Sequence, residues 1–221
     1  MTPRTRYNAV AMALHWTIAA LIIGNIGLGF WFAWLEETPL AVGALAGEGL
    51  SKLLRHWPRS ELVWVHAAIG MSILLLSLGR LGWGLVNPPP SQRAGMHRGE
   101  RALARTVHLA FYGFMIGMPL VGWALVSSTP RYARSPFSFF GLVLPSFPGV
   151  PTGSRNAAHE LLVTLHADYL PWLFYALLAL HVAGALKHQW VDRDGELGRM
   201  IPWLREPGPR AGARTSFNSA R

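Results

Sequence analysis

The chain has 221 residues, of which 51% are hydrophobic and 14% charged, with 20 Lys and Arg against 11 Asp and Glu. Globular chains carry about 25% charged residues, so this composition, with uncharged runs of bilayer-spanning length, points to an integral membrane protein and away from a soluble domain. The absence of cysteine excludes disulfides, iron–sulfur clusters, thiol nucleophiles and covalent c-type haem attachment. A bound metal cofactor therefore has to use nitrogen or oxygen ligands, and the chain offers 9 histidines.

The first apolar stretch runs from Ala9 to Trp34 without a charge and contains His15, with Gly24, Gly27 and Gly29 further along. It is too long for a signal-peptide core and no convincing small-residue cleavage site follows it, so it is expected to be a span. Within residues 35–60 the segment AVGALAGEGLSKLLRHW is expected to form a weakly amphipathic interfacial helix. The second stretch, Leu62 to about Val86, is interrupted only by Arg80 and opens with His66. Asn87-Pro88-Pro89-Pro90 ends it, because proline cannot continue a helix.

The third stretch, Thr106 to about Ser128, carries His108 and an internal Pro119, expected to kink it. Residues 129–162 are rich in Pro, Ser, Gly and Phe and read as a folded loop lying on the membrane. The fourth stretch, Tyr169 to Lys187, is uncharged up to its last residue. His166 stands before it, His181 lies inside it and His188 follows it. The tail from Glu206 has a disordered composition, and the sequence contains no internal repeat. The expected architecture is all-α: an integral membrane four-helix bundle over residues 1–205 with a disordered tail over 206–221.

Charge sets the expected orientation. Placing the N-terminus, the 87–105 loop and the C-terminus on one side collects 14 of the 20 basic residues there, Arg80 and Lys187 included. The positive-inside rule then makes both termini cytoplasmic. Basic charge so distributed is a topology signal, and no nucleic-acid partner is expected; lipid is the partner of the spans.

That topology sorts the histidines by depth. His15 and His108 fall near the cytoplasmic face, and His66 and His166 near the periplasmic face. His181 lies 15 residues beyond His166, which on an α-helix is ~22 Å along the axis and ~60° around it, so it returns to the cytoplasmic level. One layer therefore holds His66 with His166; the other holds His15, His108 and His181, with His188 at the water boundary. An ionisable residue inside a span is a functional hypothesis by default, and two layers of imidazoles suit two bis-histidine haems, since haem iron takes axial imidazoles and four-helix bundles place ligands on facing helices. Zinc or copper sites would gather three or four ligands, carboxylate or sulfur among them, and no HExxH motif occurs. The competing reading makes these core histidines hydrogen-bonded to neighbouring helices.

Gly70 is four residues after His66 and Gly184 three after His181, positions that would let a flat macrocycle lie close to backbone. Small residues also serve plain helix packing in membranes. Arg80 is 14 residues from His66, ~40° around the helix and near the other haem level. It suits a haem propionate or, alternatively, a snorkelling topology role. His188 is seven residues after His181, ~20° from the same face and ~10 Å further on. With an unperturbed pKa near ~6.5 it suits proton exchange with a quinone, and Lys187 could favour a developing quinone anion. Alternatives make His188 an interfacial anchor beside Trp190, or make His188 or His108 an axial ligand in place of His181.

His15-Trp16 early in the first span, VHAAIG opening the second with its PPP stop, and ALHVAGALKHQWVDRDGELGRMIP closing the fourth together resemble the bacterial cytochrome b561 family. VHLAFYGFMIGMPLVGW and the SSTP…FFG loop fit the same pattern. The resemblance covers about residues 5–205. It implies a four-helix, two-haem b protein of the bacterial inner membrane, related to the cytochrome subunits of hydrogenases. Its ligand pattern, one histidine in each of the first two spans and two in the fourth, falls on His15, His66, His166 and His181. The fourth-span spacing is one residue longer than the family's, implying an insertion near Pro171, with His159 as the alternative to His166.

The function implied is transmembrane electron transfer to the quinone pool, with ubiquinone as substrate and superoxide as a possible donor. The alternatives are a cytochrome subunit docked to a periplasmic dehydrogenase or redox partner, and a haem-free histidine-lined transporter.

Overall fold

The computed structural model describes residues 6–37, 59–90, 97–131, 136–151, 157–201 and 204. The interfacial helix expected within residues 35–60 and the tail from Glu206 lie outside the described residues. Four helices, α1 (Ala9–Glu37), α2 (Arg59–Val86), α3 (Arg98–Ser127) and α4 (Ala157–Asp192), are each long and apolar enough to cross a membrane. In chain order α1 packs on α2, α2 on α3 and α3 on α4.

The helix ends fix the direction of each span. Asn8 Oδ1 caps α1 by accepting from the Ala11 N–H at 2.8 Å, and it also accepts from the Trp83 indole near the end of α2 at 3.2 Å. The Trp16 indole donates to the Met200 carbonyl at 2.8 Å, and Lys187 Nζ bonds Glu100 Oε1 at 2.8 Å. The starts of α1 and α3 thus share one end of the bundle with the ends of α2 and α4, an up–down–up–down arrangement. His97 caps α3, its ring accepting from the Gly99 N–H at 3.3 Å. Pro119 lies inside α3, which continues unbroken to Ser127.

The loop after α3 is anchored at the opposite end. Its two short strands, β1 (Ser138–Phe139) and β2 (Leu142–Val143), pair antiparallel around Phe140 and Gly141, whose φ values of 49° and 82° give the left-handed turn that matches strand twist. Phe137 stacks on Trp64 of α2 at 5.4 Å, and the Phe147 N–H donates to Ser127 Oγ at 3.0 Å. The loop is shorter than composition suggested, because α4 starts at Ala157 and not after residue 162. Reading spans from missing charge places a helix end at Asp168, yet AAHELLVTLHADY carries nothing that stops a helix, and its charges simply ride on the helix end.

Packing inside the bundle centres on two small clusters, Ile18–Ile73–Met115 and Met71–Leu74–Phe137. Large apolar side chains such as Ile23, Leu75, Leu78, Leu109, Trp172 and Leu173 point outward and are exposed. Such a surface would be an aggregation liability in water and is the expected face toward lipid.

α4 is composite. Its α-helical parts, Ala157–Val163 and Leu170–Leu186, are separated by a π-helical turn over Thr164–Tyr169, and a second π turn, Lys187–Asp192, ends it. In the first, the Leu170 N–H reaches back five residues to the Leu165 carbonyl. A π turn absorbs one extra residue within a helix, and this one lies just before Pro171. With one residue absorbed, the 15-residue step from His166 to His181 behaves as 14: about 40° around the axis and ~21 Å along it. The wide turn keeps both histidines on one face.

Candidate functional site

α2 and α4 bring His66 and His166 together near the loop end of the bundle, with ring centroids 6.1 Å apart and ring planes at 85°. The backbone of Asn25 on α1 hydrogen-bonds the His66 ring. His166 Nδ1 is buried and has no hydrogen-bond partner among the described residues. At the other end, His15 of α1 and His181 of α4 stand 6.4 Å apart at 60°, and His108 of α3 approaches His181 to 5.5 Å at 83°. His108 donates from Nδ1 to the Ala104 carbonyl one turn back, at 2.7 Å. Phe111 packs edge-on against His181 at 5.1 Å. His159, the alternative to His166, has its ring on Ser128 Oγ at 2.7 Å.

These pairs have the dimensions of axial ligation. A metal–imidazole bond is about 2 Å, so two imidazoles on opposite sides of one ion have ring centroids roughly 6 Å apart. An orphaned imidazole nitrogen in a membrane interior costs free energy unless something binds it. The glycines expected beside the pairs leave room: a side chain added at Gly184 would meet nothing within 4 Å and one at Gly70 only Asn25 Nδ2 at 3.9 Å, and the first-span glycines Gly24, Gly27 and Gly29 are equally open. Imidazole donors and open space beside glycine would suit a haem at either pair, and at the His66–His166 pair the unsatisfied His166 nitrogen adds to that fit. The His15–His181 level has the third imidazole, His108, so there the geometry offers two partners for His181.

Arg80 lies at this second level. Its charge acts on both His15 and His181, and its guanidinium lies 5.9 Å from the Tyr112 ring centroid. Tyr7 is nearby; burial pushes its phenol above the ordinary range, while Arg199 and then Arg80 pull against that shift. Tyr7 therefore stays neutral at physiological pH, while Arg199 is paired with Glu196 at 2.6 Å.

Lys187 and His188 are committed to carboxylates. Lys187 Nζ contacts Asp192 Oδ2 at 2.6 Å as well as Glu100 at 2.8 Å. His188 Nδ1 lies 2.7 Å from Asp194 Oδ2 and 3.2 Å from Asp192 Oδ2. Asp194 is itself fixed, its backbone N–H donating to the His188 carbonyl at 3.2 Å and its Oδ1 accepting from the Glu196 N–H at 3.0 Å. The left-handed Arg193 (φ 52°) and Gly195 (φ 76°) turn the chain back so that this contact forms. With an ionised carboxylate as acceptor, Nδ1 carries the proton and Nε2 is left for other work.

Three groups here escaped the sequence reading. Asp194 was visible only as one charge in VDRDGE. Asn25 was one polar residue in an apolar span, which is itself a signal. Gly122 of α3, whose added side chain would meet His166 Cε1 at 3.0 Å, carries no signal without the fold.

A family model described as prokaryotic cytochrome b561 matches residues 6–203. Among curated relatives, cytochrome b561 homolog 2 of Escherichia coli (strain K12) is 25% identical over 203 residues, covering 89% of this chain and 91% of the relative. The probable superoxide oxidase CybB of Yersinia pestis is 27% identical over 203 residues, covering 89% and 96%. Cytochrome b561 homolog 1 of the same Escherichia coli strain is 25% identical over 200 residues, covering 89% and 97%.

Proposed function

The chain belongs to the prokaryotic cytochrome b561 family, a multi-pass membrane electron-transfer protein that binds haem b, and from that premise we propose that it carries two haems and passes electrons to the quinone pool of the bacterial inner membrane. The observation that supports two haems is the pair of imidazole couples, His66–His166 and His15–His181, at opposite ends of α4. Bound haem b supplies one-electron redox centres. In this reading the four histidines hold iron, the glycines at 70 and 184 leave space for the macrocycle, and Arg80 supplies positive charge for a propionate.

Quinone chemistry belongs at the His188 end, with both chain termini on that side in the cytoplasm. Ubiquinone takes two electrons and two protons to become ubiquinol. If superoxide is the donor, two superoxide anions each lose one electron and leave as dioxygen, so charge and atoms balance with two protons taken from water. The name of the Yersinia relative supports superoxide as that donor. His188, held by Asp194, is the proton-exchanging group, and Lys187 sets the charge beside it.

A pyridine haemochrome assay on pure protein is expected to give two haems b per chain; one or none would overturn the two-haem reading. A redox-titrated visible spectrum should then show b-type bands that are oxidised on adding ubiquinone. Bands that stay reduced with quinone, and oxidise only with a partner protein, would instead favour a subunit docked to a periplasmic dehydrogenase. A reporter fused to Arg221 should be active only as a cytoplasmic enzyme if the charge bias sets topology.

A further inference from the structure

The His66–His166 couple is bounded by a third helix. Gly122 of α3 faces the His166 ring so closely that a Cβ placed there would lie 3.0 Å from Cε1 and 3.6 Å from both ring nitrogens. This is the tightest approach at any glycine of α1–α4; at Gly113 and Gly117 on the same helix a Cβ would meet nothing within 4 Å. The neighbour at Gly122 is a ring, which cannot fold aside as the end of a flexible chain does. His166 also sits in the π turn that absorbs an extra residue, so its direction depends on what it leans against. On the opposite side, His66 is hydrogen-bonded to the Asn25 backbone. The two rings are thus held from both flanks at 85°, while the other couple stands at 60°.

We propose that Gly122 is a positioning residue: the absence of a side chain at this point of α3 seats the His166 imidazole nearly perpendicular to that of His66, and so fixes the ligand-plane angle of the haem at that level. This rests on the reading that His66 and His166 ligate a haem. Its physical content is that the angle between two axial imidazole planes sets the splitting of the ferric iron d orbitals, and hence the highest g value of the low-spin signal. A methyl at 122 forces the ring to rotate or retreat by a few tenths of an ångström. A larger side chain occupies the ring's place, since packed interiors have no spare volume.

The test is low-temperature EPR with haem quantitation on the purified full chain, comparing Gly122→Ala and Gly122→Leu with Gly117→Ala as the matched control. Wild-type protein should show two low-spin ferric signals. Gly122→Ala should keep two haems per chain and shift the highest g value of one signal, the same signal that His166→Ala removes. Gly117→Ala should shift neither. Gly122→Leu should lose one of the two haems; if that variant does not fold, Gly122→Ala decides the matter alone. Both signals at wild-type positions in Gly122→Ala would overturn the proposal, as would equal shifts in both. If His166→Ala itself keeps both haems and both signals, the ligand assignment has failed, an outcome distinct from a silent Gly122.

Discussion

Replacing His66 by alanine is expected to halve the haem content of the purified protein and to leave the remaining haem spectrally unchanged. The substitution removes one of two imidazoles that face each other at 6.1 Å. His159, the alternative at that end, has its ring on Ser128 Oγ at 2.7 Å, and that hydroxyl donates onward to the Leu125 carbonyl. A replacement ligand would have to break this chain. The effect should stay local because the second set of histidines lies ~21 Å away along α4. His15→Ala is the reciprocal experiment and should remove the other haem, since it leaves His181 without its partner on α1. His108 makes that case more informative. It stands 5.5 Å from His181, with Nδ1 already bonded to the Ala104 carbonyl, the kind of hydrogen bond that orients a metal-binding imidazole. A His15→Ala protein that keeps two haems, while the His15→Ala/His108→Ala protein keeps one, would transfer the ligand role to His108. Loss of both haems from either single variant in folded protein would mean that the two levels are not independent.

The levels were legible in the sequence because depth in a membrane is counted along a helix. Spans follow from missing charge, each histidine's depth from its distance to a span end, and the ring pairs lie where that counting puts them: His66 with His166, and His15 and His108 with His181. Rotation about the helix axis was less legible. The 15-residue step between the two histidines of α4 was read as uniform α-helix, and the π turn at Thr164–Tyr169 changes the phase by about one residue while leaving both rings on one face. The start of α4 at Ala157 was missed for a different reason: charge marks where lipid ends, not where a helix ends. Contacts between helices were not legible at all. Gly122 earns its place only because α3 and α4 touch there, and Asp194 reaches His188 only because two left-handed residues reverse the chain after the second π turn.

His188→Ala is expected to leave two haems with unaltered spectra and to slow ubiquinone reduction at least ~10-fold, a modest share of what positioned acid–base groups contribute. The ring lies at the end of α4 beyond the His15–His181 level, half-buried, with Nδ1 2.7 Å from Asp194 and 3.2 Å from Asp192. That contact decides which nitrogen works. A carboxylate on Nδ1 holds the proton there and leaves the Nε2 lone pair to take a proton from water and then hand it to a reduced quinone oxygen. Removing the ring removes the donor without touching the four paired histidines, His15, His66, His166 and His181. Asp194→Asn tests the same idea from the other partner. An amide can donate to Nδ1 and stabilise the opposite tautomer, so this variant should slow turnover while leaving the KM for ubiquinone close to wild type. Asp194→Glu, which restores an acceptor, should recover part of the rate. Lys187→Met should act more weakly, because its ammonium is shared between Glu100 and Asp192 at an exposed site, where ion pairs contribute little. Stopped-flow reoxidation of dithionite-reduced protein by ubiquinone separates these outcomes. An unchanged rate in His188→Ala would remove this histidine from the quinone site, and loss of a haem would make it a ligand, so that the pairing with His181 would have to be redrawn.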